Sequence, residues 1–96
     1  MSRITMVNAT AATLVASGPT ILLSILTSNP EPYPNAMTID FHNVATAAGL
    51  AASNLVFSIS FSPQGGHISH QFDAAMFPAG LVVKCSSALE TIIETD

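Results

Sequence analysis

Ninety-six residues are enough for one self-supporting core and too few for two. Only 8% of them are Asp, Glu, Lys or Arg, against roughly 25% in ordinary globular chains. Arg3 and Lys84 are the only basic residues, which leaves no electrostatic footprint for nucleic acid, and Cys85 has no second cysteine with which to form an internal disulfide.

Residues 1–8 read as an N-terminal arm and 9–96 as a single β-sandwich domain. Thr10 to Ser17 is rich in Ala and Thr and suits a strand or a weak helix, ended by Ser17-Gly18-Pro19. Thr20 to Thr27, TILLSILT, is the most apolar run; its length, its Ile and Thr content and its flanking breakers predict a strand buried on both sides. Residues 4–30 are uncharged, yet ten of those 27 are Thr, Ser or Asn, which is too polar for a membrane-spanning helix. Asn29 to Asn35, NPEPYPN, holds three prolines and cannot pair within a sheet, so it reads as an exposed loop with Tyr33 as its largest side chain.

Met37 to His42 alternates, placing Ile39 and Phe41 inward and Asp40 and His42 outward. Asn43 to Ser53 is small and Ala-rich, a long connection with room for one helical turn. Asn54 to Asp73 is the most regular stretch. Leu55, Phe57, Ile59 and Phe61 alternate with Val56 and the serines at 58, 60 and 62, and then comes Pro63-Gln64-Gly65-Gly66. Ile68, His70 and Phe72 continue the alternation, so the stretch reads as a β-hairpin with the Leu55/Phe57/Ile59/Phe61 face in the core. Ala74 to Gly80 reads as a turn with Met76 and Phe77 tucked inward. Leu81 to Cys85 is a further strand with Lys84 toward water and Cys85 a buried, inert thiol. Leu89 to Thr95 fits either a helix face or a strand edge, and the preceding β pattern favours the strand. The expectation is an all-β chain: one antiparallel β-sandwich or jelly-roll-like barrel of six to seven short strands.

No constellation in the chain carries chemistry. His67 and His70 form an H-x-x-H, but on a strand an odd offset sends the rings to opposite faces, and His70 reads as half-buried beside Ile68 and Phe72. Asp40 and His42 share a face without a nucleophile or an oxyanion site, so a surface hydrogen bond is the expected role. No cofactor, metal, small-molecule substrate, nucleic acid or membrane is expected as a partner, and no enzymatic activity. A surface this neutral is poor at keeping a free monomer soluble, which predicts a homo-oligomer, trimer or dimer.

The short motifs of the chain resemble those of small all-β structural proteins of tailed-bacteriophage virions. They are Ser17-Gly18-Pro19 before Ile21 to Leu26, Ile39-Asp40-Phe41, Gly65-Gly66, Phe72, Gly80-Leu81-Val82-Val83 and Ile93-Glu94. The proline loop 29–35 and the Ala-rich segment after Phe41 depart from that pattern. The resemblance implies a head decoration (cement) protein, made in the host cytoplasm, that binds the major capsid protein on the capsid surface. The segments expected to order there are the arm, with Arg3, Ile4 and Met6, and the loop, with Pro30, Pro32, Tyr33 and Pro34. The alternative class is a fibre or carbohydrate-binding module for host attachment, which the lack of Trp and the scarcity of Tyr disfavour.

Overall fold

Arg3 lies opposite Thr95, Leu14 opposite Val82, Ile25 opposite His70 and Ile39 opposite Ile59. Each of these residues faces, to within a residue or two, its mirror position about the middle of the chain. The computed structural model describes residues 2–29, 37–61, 66–86 and 90–96. Among them are eight strands: β1 (Arg3–Val7), β2 (Thr13–Ala16), β3 (Thr20–Asn29), β4 (Met37–His42), β5 (Leu55–Phe61), β6 (Gly66–Phe77), β7 (Leu81–Cys85) and β8 (Glu90–Thr95). β1 pairs with β8, β2 with β7, β3 with β6 and β4 with β5, all antiparallel. The chain is thus one long double-stranded ribbon. Two further ladders, β3 with β8 and β4 with β7, roll the ribbon into two four-stranded sheets of order β1-β8-β3-β6 and β2-β7-β4-β5. That is a jelly roll. It matches the all-β expectation, with eight strands where the sequence pattern predicts six to seven.

The core lies between the sheets. Val7, Leu22, Ile25 and Ile93 enter it from the first sheet, together with Phe77; Ile39, Phe41, Leu81, Val83 and Cys85 enter it from the second. Phe41 stacks on Phe57 with ring centroids 4.9 Å apart, and Phe72 and Phe77 close on the same cluster at 5.5 and 6.1 Å from Phe57. Burying these rings supplies much of the drive to fold.

Several expectations are corrected by this topology. The stretch 54–73 is not a hairpin: β5 pairs with β4 in one sheet, while β6 pairs with β3 in the other. Phe57 and Ile59 do pack on the core, but Leu55 is exposed. The expected arm is largely a strand, since residues 3–7 form β1 and Val7 is buried. β3 is not buried on both sides. Leu22 lies opposite Thr95 and Ser24 opposite Glu94, so β3 bulges at Leu23 relative to β8. The bulge reverses the phase: Thr20 and Leu22 are buried before it, Ile25 and Thr27 after it, and Leu26 points to solvent. Met76 is exposed, and only Phe77 is tucked in. β8 is an interior strand between β1 and β3 and not a sheet edge. The connection 43–54 holds two single 3₁₀ turns, Ala47–Gly49 and Ala52–Asn54.

Candidate interaction surface

In an antiparallel ladder, residues directly opposite each other share a face. Met6 lies opposite Ile92, Ile92 opposite Leu26, and Leu26 opposite Ser69. An apolar row therefore crosses three strands of the outer face of the β1-β8-β3-β6 sheet and ends in a hydroxyl on β6. Ile92 is half-buried between its neighbours, Leu26 is 38% and Met6 56% exposed, and Ile4 beside Met6 is 66% exposed. The neighbouring row runs Ile4, Glu94, Ser24, Gln71, and the Ser24 hydroxyl donates to Glu94 Oε1 at 3.1 Å. That bond ties down the carboxylate nearest to Ile4.

The sequence singles out Arg3, Ile4 and Met6, and the structure places all three on β1. Ile4 and Met6 share the outer face with the apolar row. Arg3 instead lines a cleft of about 470 Å³, together with Val15, Ser17, Pro19, Thr20 and Asp96. Pro30, Pro32, Tyr33 and Pro34 lie outside the described residues, so the structure does not place them beside β1. Leu26 and Ile92 were missed by the sequence reading. Two adjacent isoleucines in a strand must face opposite ways, so Ile92-Ile93 already carried the signal that one of them points outward.

Glu90 and Glu94 lie on this face, on either side of Ile92, while Asp40, His42, His70 and Cys85 sit apart from it or serve structure. Asp40 accepts the Ser58 hydroxyl at 2.6 Å, and His42 Nδ1 lies 2.8 Å from Asn54 Oδ1. The two residues have different partners and form no dyad. His42 is buried, contrary to its expected outward exposure, because Asn54 draws it under the 43–54 connection. Asn54 also accepts from the Ala51 N–H and donates to the Gly49 carbonyl, so one amide organises that connection. His70 is exposed rather than half-buried, with its ring 4.7 Å from that of Phe72 at the rim of the sandwich. The side chain of His67 lies outside the described residues.

Cys85 is buried, and burial pushes its thiol up from the ordinary 9.0 to about 11; a hydrogen bond from Thr91 opposes the rise and the Asp40 charge adds to it. Among the described residues, no group of three or more His, Cys, Asp or Glu side chains is placed to hold a metal ion, and no helix is long and apolar enough to cross a membrane. This surface can make contact through apolar area, hydroxyls and main chain. No family model matches the chain, and no curated protein or solved structure matches it.

Proposed function

We propose that this chain is a structural binding module: a head decoration (cement) protein of a tailed-phage virion, bound to the major capsid protein on the outer surface of the shell and acting as a homo-oligomer. The observation that carries the reading is the apolar row of Leu26, Ile92 and Met6, continued by Ile4, on the outside of a sandwich with almost no charge. A free protein gains nothing from leaving large apolar side chains clustered on a solvent face, whereas a permanently docked one gains affinity from burying them. The virion-protein resemblance of the turn and strand motifs supports the choice of partner, and so does a jelly-roll architecture of the kind used by viral capsid domains. The same architecture serves other functions elsewhere, so the surface carries the argument and the fold lends it context.

Docking of this kind depends on shape, apolar burial and hydrogen bonds rather than on long-range charge. Its affinity is therefore expected to change little with salt. The test is co-sedimentation with purified mature heads at low and at high salt. The expected result is that the protein pellets with the heads in both. A protein that stays in the supernatant removes the cement reading and brings the host-attachment module forward. Loss of binding at high salt alone contradicts the neutral-surface mechanism.

A further inference from the structure

A jelly roll leaves four sheet edges, here β1, β6, β2 and β5. Open edges invite pairing with another chain, and proteins that stay monomeric blunt them with charge, proline, bulges or brevity. β6 is blunted: its ladder with β3 advances four residues for two between Leu22 and Ser24, Ala74 adopts a left-handed φ of 55° there, and Asp73 adds a charge. β2 has four residues and a register break. β5 exposes Leu55 and Val56 at its start, but its ladder with β4 shifts register there, and its remaining outward side chains are Ser58 and Ser60, with both hydroxyls engaged by β4 through Asp40 and Thr38. β1 has no proline or bulge, its single charge is Arg3 at one end, and its outward side chains are the large and exposed Ile4 and Met6.

We infer that β1 is a dimerisation strand, pairing antiparallel with β1 of a second copy across a two-fold axis at Thr5. Peptide groups alternate in direction along a strand, so β1 has main-chain donors and acceptors turned away from β8, and an extended strand can pair with them as a set in place of water. A second β1 fits because an antiparallel pair of identical strands is self-complementary. With Thr5 on the axis, all five residues find a partner: Ile4 of each copy faces Met6 of the other, and Arg3 faces Val7. The two guanidinium groups are then four residues apart along the strands, about 14 Å. The apolar rows of both copies merge across the seam into one band on a continuous eight-stranded sheet, and the exposed apolar side chains of β1, Ile4 and Met6, cover each other. This inference stands without the capsid reading, since it concerns the free protein.

The experiment is sedimentation velocity at high micromolar concentration on four proteins, with circular dichroism as the check on folding. The unsubstituted protein is expected to be a dimer. The double variant I4K/M6K sets a lysine opposite a lysine of the other copy and is expected to be monomeric and folded, with Kd raised at least about tenfold. The double variant I4K/M6E sets opposite charges across the same seam and is expected to dimerise again. V56K, on the other open edge, is expected to remain dimeric. A monomeric or trimeric unsubstituted protein overturns the proposal, and a monomer leaves the β1 edge to a strand of another protein. A dimeric I4K/M6K, a monomeric V56K, or an I4K/M6E no tighter than I4K/M6K overturns it as well.

Discussion

Cys85 shows what burial does to one side chain. Its thiol is held protonated to about 11, against an ordinary 9.0, chiefly by desolvation. An acid whose folded-state pKa is raised contributes stability that is whole below pH 9 and is lost as pH climbs toward 11, here about 2–3 kcal/mol. Chemical denaturation between pH 8 and 11 is expected to show that decline, and Cys85→Ala to remove the part due to the thiol. Alkylation of Cys85 at pH 8 is expected to proceed only in denaturant. Gly80 is constrained by its backbone, with φ +146° and no room for a Cβ, which would sit 2.6 Å from the Ala16 carbonyl oxygen and 2.7 Å from that of Val44. Gly80→Ala is expected to cost more than about 2 kcal/mol by thermal or urea unfolding. Phe41→Ala removes a fully buried ring from the aromatic cluster and is expected to cost about 3–5 kcal/mol. Phe57, which is only half-buried, should lie at the lower end of that range.

At the scale of elements, β1 changes what truncation means. A free arm over 1–8 could be deleted without harm, but β1 pairs with β8 along five positions and Val7 seals the core. Deleting residues 1–8 is expected to lower the unfolding midpoint clearly, as well as to abolish dimerisation. Period-two alternation made β4, β5 and β7 legible in the sequence, because one face of each meets the core. What alternation cannot reveal is the partner. Pro63-Gln64-Gly65-Gly66 has the chemistry of a tight turn, yet β5 and β6 belong to different sheets, since the β3–β8 and β4–β7 ladders decide which strands meet. The same non-local geometry hid the surface. The bulge at Leu23 turns Leu26 outward, and nothing in TILLSILT marks where the phase slips. Arg3, Ile4 and Met6 stand out in the sequence because a terminal segment can add contacts to a neighbour; the face that Ile4 and Met6 share with Ile92 and Leu26 follows from pairing between the two ends of the chain, and Arg3 lies off it.

The whole molecule is a ribbon folded about its own midpoint and rolled into two sheets, with its first and last strands side by side. That arrangement gathers Ile4, Met6 and Ile92 from opposite ends of the sequence onto one outer face. Coupled with so few charges, it yields a surface suited to lasting contact and poorly suited to steering mobile ligands. The function proposed for it is mechanical: to add buried area across a shell that must resist internal pressure. Heating purified heads with and without bound protein, while following DNA release by dye fluorescence, tests that claim most directly. The account predicts that decorated heads release DNA at a higher temperature than bare ones, and that I4K/M6K, which alters the apolar face itself, gives less protection. Release at the same temperature from decorated and bare heads would contradict it.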